Sequence, residues 1–439
     1  MKGAKPRNLL DTRSGRFLAF GAMYVSEGIP YGFSSTAMVA FMRREGLALE
    51  QIGLFVGALF IPWAFKWAWA PLIDIVTMNR FGGRKAWIIG CTTMMIVTLL
   101  LTAAVDFVSH FELLLMAVVL NNFFCATQDV AIDALAVSSL QEEERGRGNG
   151  FMFAGQYLGI ALGGGGAIFV YGLWGFDVAL VYISALLLAS LAFVVVFIRD
   201  PAANGPEPER PPSVLLAFVS TLKTFVGELM ASFFRSGKGP VIGLLFSVLP
   251  IGAMALGYAT VATMKVDHGL TDGQIAELSV YHTLAAGLGC LVGGVLGDRF
   301  GLKRMIGVFY VLTTLPTLYL AVQISLLGLP AIPRTEFYAA VIVYGLFFGM
   351  AFGLRPAIFM GMTNPAIAAT QFTAFMAMGN LAISYTNYWQ GIVAGRFGYA
   401  AVLYLDALIV IVPLVIMPFL RNREPERVVG QPVPAPALS

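Results

Sequence analysis

Glu27, Lys66, Asp129 and Asp133 are ionisable residues set inside long apolar runs. A charge at mid-bilayer costs about 2.5–3.5 kcal/mol on insertion scales, so each needs a partner or a watery cavity. Glu27 stands about ten residues into the first run, roughly 15 Å deep at 1.5 Å per residue, and Lys66 lies at similar depth in the second. Consecutive helices tend to be neighbours, so the sequence predicts a Glu27–Lys66 ion pair near the midplane, either a static brace or a working charge. Tyr24 and Tyr31 share the helical face of Glu27, and Trp63 and Trp67 share that of Lys66. Rings beside a charge suit a sugar or another planar ligand. They suit ordinary helix packing equally well. Asp129 and Asp133, one turn apart with Gln128 beside them, fall near a basic turn that holds Arg80 and Arg84. That spacing fits a salt-bridge gate, or a carboxylate that carries a proton. Arg355, just before Pro356, would attract a carboxylate or phosphate from a central cavity. His282 and Asp406 are also intramembrane, and the sequence assigns them no partner.

Twelve apolar runs of about 20 residues, enough to cross about 30 Å of hydrocarbon, must position these side chains. They lie near 17–42, 51–75, 86–105, 113–137, 148–171, 178–198, 240–264, 273–296, 305–328, 337–358, 368–394 and 399–420. Hydrophobic residues make up 58% of the 439 and charged ones 12%, with a mean hydropathy of +0.78. That charge is about half of what a soluble domain carries, so the solvent of this chain is lipid. The net charge of +3 offers no nucleic-acid surface. Cys91, Cys125 and Cys290 lie inside apolar runs with neither metal-ligand spacing nor a disulfide partner.

The turn Asn79-Arg-Phe-Gly-Gly-Arg-Lys85 returns as Asp298-Arg-Phe-Gly-Leu-Lys-Arg304, 219 residues later and so half the chain away. Phe123–Phe124 returns as Phe347–Phe348, and Gly155–Gln156 as Gly379–Asn380. A duplicated six-helix half is a transporter design. The expected fold is therefore all-α and polytopic, with twelve transmembrane helices in two six-helix halves, the major facilitator architecture. Its parts are an N-terminal half (1–198), a cytoplasmic linker (199–239), a C-terminal half (240–420) and a disordered tail (421–439). The linker opens proline-rich and then repeats Leu215, Phe218, Leu222, Phe225, Leu229 and Phe233 at helical spacing, as an interfacial amphipathic helix does. With both termini inside, 21 of the 28 Lys and Arg fall in cytoplasmic segments, which satisfies the positive-inside rule. The run Gly163–Gly166 and pairs such as Gly289/Gly293 and Gly349/Gly353 suggest close helix contacts. No Walker sequence, zinc signature or nucleophile elbow occurs. A gradient-driven carrier without cofactor or metal follows, and an enzyme does not.

Several segments resemble the peptide/acetyl-coenzyme A transporter family of the major facilitator superfamily. They are Glu27-Gly-Ile-Pro-Tyr-Gly32, Gln51-Ile-Gly-Leu-Phe55, the stretch from Phe65 to Asp74, and the stretch from Arg80 to Trp87. Ala126-Thr-Gln-Asp-Val-Ala-Ile-Asp-Ala134 with Glu144-Arg-Gly146 is the most specific, and Ala369-Thr-Gln-Phe372 adds a match in the second half. The second basic turn, with Asp298 and Arg299, resembles the superfamily's signature loop. In the first copy Asn79 stands where the acid belongs, which leaves Asp74 to take over the gate role. The family includes bacterial permeases for anhydro-muropeptides, acetyl-coenzyme A transporters and siderophore importers. The resemblance implies inward transport of a bulky, polar, often anionic solute with protons across a bacterial inner membrane. It draws attention to Lys66, Asp74, Gln128, Asp129 and Asp133.

The expected cavity is lined by Tyr24, Glu27, Tyr31, Trp63, Lys66, Trp67, Gln156 and Arg355. Glu27 or Asp129 carries the proton, and Asp74, Arg80, Arg84, Gln128, Asp133, Asp298 and Arg299 form cytoplasmic gates. The leading solute is a muropeptide, with a siderophore or a coenzyme A thioester as alternatives. A membrane sensor that moves nothing is the remote one.

Overall fold

The computed structural model describes residues 8–76, 82–102, 109–141, 144–200, 213–235, 238–362 and 368–420. The first span begins where the Thr12 hydroxyl caps the helix by accepting from the Gly15 N–H at 3.2 Å. It runs through Arg13–Gly32, widens into a π-helical turn at Phe33–Ala37 just past Pro30, and ends as Met38–Arg44. The second span is Leu49–Phe65. There the helix breaks into a tight turn at Lys66–Ala68 and resumes over Ala70–Ile75. Pro71 explains the break: its ring would strike the Trp67 carbonyl and it has no N–H to offer it.

Spans three to six are Arg84–Leu101, Phe111–Ser139, Arg145–Ala161 with its continuation Ala167–Trp174, and Phe176–Phe197. The linker helix is Val214–Arg235, in the place and with the helical character that its periodicity predicts. Spans eight to ten are Asp272–Phe300, Leu302–Leu327 and Arg334–Met362. The last two spans follow without an intervening loop in Ala368–Ile409, turning at Gly398, whose φ of 80° only glycine adopts readily. Among the described residues the architecture is all-α, with twelve spans and a linker helix between the sixth and seventh, and the protein crosses the membrane many times. Leu101, Val137, Leu291 and Leu326 are among many large apolar side chains that stay exposed, a surface made for lipid.

Asn8 exchanges hydrogen bonds with the backbone of Arg199, at 3.1 and 3.0 Å, so the start of the first span and the end of the sixth lie at one end of the bundle. Lys303 likewise donates to the Leu420 carbonyl. The linker helix touches the same end through Phe225, stacked on Trp67 at 5.9 Å. This is called the linker end below.

Within the first half, glycines let spans one and five meet backbone to backbone: a Cβ on Gly155 would land on the Gly21 carbonyl, and one on Gly163 on that of Ile29. The two halves join along three seams. Span two meets span eleven, where Ser384 donates to the Gly57 carbonyl at 2.7 Å and Gly53 faces Gly391. Span five meets span eight, with Tyr157 and Cys290 3.4 Å apart. Span one meets span seven at the end opposite the linker.

The sequence predicts one unbroken seventh span, and the structure shows two pieces, Lys238–Ser247 and Ala259–Asp267, with unwound chain between them. Pro250 is the cause. It has no N–H for the Phe246 carbonyl one turn back, and Gly252 then turns the chain at φ 70°. Inside a membrane protein each freed backbone group needs a new partner. One terminal nitrogen of Arg355 donates to the carbonyls of Phe246, Ser247 and Leu249 at 3.0, 2.7 and 2.8 Å. Tyr385 donates to the Val248 carbonyl, and Tyr344 to that of Ala253, each at 2.7 Å. Asp406 accepts from the N–H groups of Met254 and Ala255 and from the Gln390 amide, at 2.7–2.8 Å. The intramembrane carboxylate left without a partner in the sequence is thus the cap of a broken helix.

Candidate functional site

Spans one, two, four and five bring most of the expected site residues to one place inside the first half. The Lys66 ammonium is paired with the Asp129 carboxylate and not, as the spacing predicts, with Glu27. It also lies 5.5 Å from the centre of the Trp63 ring, within cation–π range. The break after Phe65 is what turns this side chain across to the fourth span. Glu27 accepts from the Gln156 amide at 2.5 Å, while its Oε2 is buried without a hydrogen-bond partner among the described residues. Asp129, Lys66 and Asp133 are the charged groups around it. Tyr24 donates to Asp133 at 2.6 Å, and Trp63 to the Asn122 side chain at 3.3 Å. Glu27 and Asp129 are buried, whereas the Lys66 side chain keeps 22% of its surface. Three carboxyls, one ammonium, a phenol and an amide therefore share a single interior cluster.

Tyr31 adjoins this cluster, one turn above Glu27 and edge-on to Phe60 at 5.7 Å. Trp67 leaves it: the same break points that ring at Phe225 of the linker helix. Arg355 is held at the seventh-span break, between the rings of Phe246 and Phe359 at 5.6 and 5.5 Å. Its Nε and second terminal nitrogen are buried without partners among the described residues.

Among the expected gate residues, Asp133 joins the cluster, and Gln128 turns to the third span, donating to Thr92 at 2.5 Å. Arg84 donates to Ser138 at 3.2 Å, and its backbone N–H to Asp200 at 2.9 Å. Arg299 is exposed beside Phe300. Arg80 lies outside the described residues, as do the side chains of Asp74 and Asp298. Sequence reasoning did not single out Asn122 or Asn380 for the site. Asn380, which donates to the Trp63 carbonyl across the halves at 3.3 Å, is the repeat counterpart of Gln156, and that symmetry was the available signal.

The ion pairs at the two ends differ in what they join. At the linker end Arg16 holds Glu144 at 2.6 Å, with Arg13 nearby, all within the first half. The hydrogen bond from Arg16, ahead of any opposing effect of burial, keeps the Glu144 carboxyl below its usual range. At the opposite end the pairs bridge the halves. Arg43 makes a two-pronged pair with Asp267, 2.7 Å on each side, and Arg44 reaches Asp272 at 3.2 Å and the Leu270 carbonyl at 2.5 Å. Among the described residues no ion pair joins the halves at the linker end. The described ion pairs that join the halves therefore lie at the opposite end.

These pairs are half-buried, at 22–31% side-chain exposure, and surface-type pairs contribute only about 0–1 kcal/mol each, so their loss should leave the fold standing. Asp267→Asn combined with Asp272→Asn is expected to raise the labelling rate of a reporter cysteine at Val261 by a membrane-impermeant maleimide several-fold. The native cysteines would be replaced beforehand. An unchanged labelling rate would show that the bridges do not latch that end.

A family model described as Major Facilitator Superfamily matches residues 17–262 and again 242–437. The chain is 26% identical over 399 residues to the anhydromuropeptide permease of Escherichia coli K12, a match spanning 89% of this chain and 77% of that protein. The inward-open xylose transporter XylE from E. coli superposes with a TM-score of 0.67 at 13% identity, over 94% of this chain and 98% of its own. The nucleoside transporter NupG superposes with a TM-score of 0.64 at 15% identity, over 93% and 100%. At such identities the two structures bear on the fold alone.

Proposed function

The chain belongs to the major facilitator superfamily, and from that premise we propose that it imports anhydro-muropeptides, or a similarly bulky anionic solute, together with protons. The transport proposed is secondary active and proceeds by alternating access across the bacterial inner membrane, with both termini in the cytoplasm. The observation that carries the reading is the buried cluster of Glu27, Lys66, Asp129 and Asp133. Such charges persist at membrane depth when they line an ion or substrate path. Three carboxyls around one ammonium hold more negative charge than positive, and protons are the simplest counterweight. Coupling through Glu27 or Asp129 follows from that count.

The relative that carries the name anhydromuropeptide permease supports the choice of solute. In this reading Trp63 and Tyr31 meet the sugar rings, and Gln156 and Lys66 hold polar groups. Arg355 offers its two unpartnered nitrogens to an acid. Trp67 serves instead as a seat for the linker helix. The gate proposed at the linker end comprises Asp74, Arg80, Arg84, Asp298 and Arg299, with Gln128 and Asp133 behind them. In this reading the bridges at the opposite end belong to an inward-facing state.

Uptake into proteoliposomes under an imposed inward proton gradient tests the reading, with labelled anhydro-muropeptide, acetyl-coenzyme A and a ferric siderophore compared side by side. Accumulation of the muropeptide that collapses with a protonophore is expected. Accumulation of another solute would replace the substrate, and equilibration without a gradient would remove Glu27 and Asp129 from coupling.

A further inference from the structure

Behind the bridged end lies a small cavity bounded by both halves. Thr36 of the first span and Gly165 of the fifth face Tyr258 and Lys265 of the seventh and Ser279 and His282 of the eighth. Its volume is about 30 Å³. That holds water but no solute.

Lys265 is 2% exposed. Its ammonium has three donors, and it meets the Ser279 hydroxyl at 2.9 Å. Among the described residues no carboxylate lies within ion-pair distance of it. Asp267, two residues further on, is already engaged by Arg43 and by Tyr399. His282 lines the same cavity, nearly parallel to the Tyr344 ring at 6.1 Å, and its Nε2 is buried without a hydrogen-bond partner among the described residues. The Ser279 hydroxyl accepts from Lys265 and gives its own hydrogen to the Ile275 carbonyl at 2.7 Å, so the two nitrogen groups are what converge on this space without a full set of partners among the described residues. Buried donors left unmatched are costly, and a buried ammonium without a counter-charge more so. An oxyanion would accept from both nitrogen groups at once.

We propose that Lys265 and His282, with Ser279 orienting the ammonium, form an entry site for a carboxylate or phosphate group of the solute, occupied when the Arg43–Asp267 and Arg44–Asp272 bridges part. The proposal rests on the importer reading for its direction. Opening the seam between spans one and seven draws Thr36 away from Lys265 and turns the closed cavity into a vestibule. A path then leads inward over Tyr258, which meets Phe60 edge-on at 5.8 Å. Phe60 in turn meets Tyr31, one turn from Glu27. The anion is held first by Lys265 and handed to the Lys66 cluster as the bridges re-form.

Two measurements test the site. In proteoliposomes, Lys265→Gln is expected to raise KM for anhydro-muropeptide about tenfold or more with kcat little changed, as removal of one charge-assisted hydrogen bond would. An analogue with its carboxylates amidated should be transported equally by both proteins, and Lys265→Arg should stay close to wild type. His282→Gln, which keeps the fold safer, should raise KM by a smaller factor in the same direction. An unchanged KM in Lys265→Gln and His282→Gln overturns the site, as does a fall in kcat alone.

The second measurement needs no transport. Purified protein is titrated with inorganic phosphate and with N-acetylglutamate, and its thermal midpoint is followed. A rise of several degrees with one of them is expected in the wild type and not in Lys265→Gln, and the effective anion identifies the group recognised. The same rise in both proteins, or none in the wild type, overturns the proposal. A Lys265-dependent rise without muropeptide uptake would sink the importer reading and leave the anion site standing.

Discussion

Lys66→Met is expected to abolish uptake and to destabilise the protein by about 3–5 kcal/mol, the usual penalty for stranding one member of a buried ion pair. Asp129 would be left inside the first half with no cation, beside Glu27 and Asp133. Asp129→Leu should cost a similar amount, because the ammonium is stranded instead. The informative protein is the double variant. Removing both charges replaces the pair by apolar packing, which is often neutral or stabilising, so the double variant should recover most of the lost stability. Uptake should stay absent in all three. Thermal midpoints in detergent and proteoliposome flux read the two properties separately. Normal flux in the double variant would reduce the pair to a brace. Flux that returns together with stability would likewise remove it from the mechanism.

The limits of sequence reading are physical and can be placed residue by residue. Helical spans and their duplication were legible because hydropathy and the positive-inside bias act over about 20 residues and average out local detail. Glu27, Lys66, Asp129 and Asp133 were legible as a group because lipid tolerates few charges, and each one stands out. Their pairing was not legible. It depends on the second span breaking at Lys66–Ala68, an event that Pro71 sets off and that turns Lys66 and Trp67 apart. Helical spacing carried through an unrecognised break gives the wrong face for every residue beyond it. Pro250 hid the seventh-span break in the same way. An apolar run shows its length, and only the partners of its backbone show whether it is continuous. Asp406 and Arg355 therefore looked like lone charges in the sequence, while in the fold each one is matched to unwound chain.

Arg355 is where structural and proposed binding roles can be separated most sharply, because the side chain that holds the unwound chain is also the one proposed to meet the solute. One terminal nitrogen is shared among the carbonyls of Phe246, Ser247 and Leu249, and the other two nitrogens are buried without hydrogen-bond partners among the described residues. Arg355→Met would leave those three acceptors unpaired at membrane depth, at about 1–3 kcal/mol each. Against a total stability of about 5–15 kcal/mol, that loss should keep the variant from accumulating in the membrane. Arg355→Lys should behave differently. An ammonium carries three donors, one more than that terminal nitrogen, and, although its reach is one atom shorter, can recover part of the cap. The lysine variant is thus expected to fold with a moderate loss of thermal midpoint. Having no second nitrogen, it should still bind an anionic solute about tenfold more weakly, since one charge-assisted hydrogen bond is missing. Membrane abundance, thermal midpoint and KM, measured on the two variants together, give the answer. If Arg355→Lys folds and keeps the wild-type KM, the arginine is a helix cap and nothing more. If Arg355→Met accumulates normally, the carbonyls have other partners and the broken span is held by Asp406, Tyr344 and Tyr385 alone.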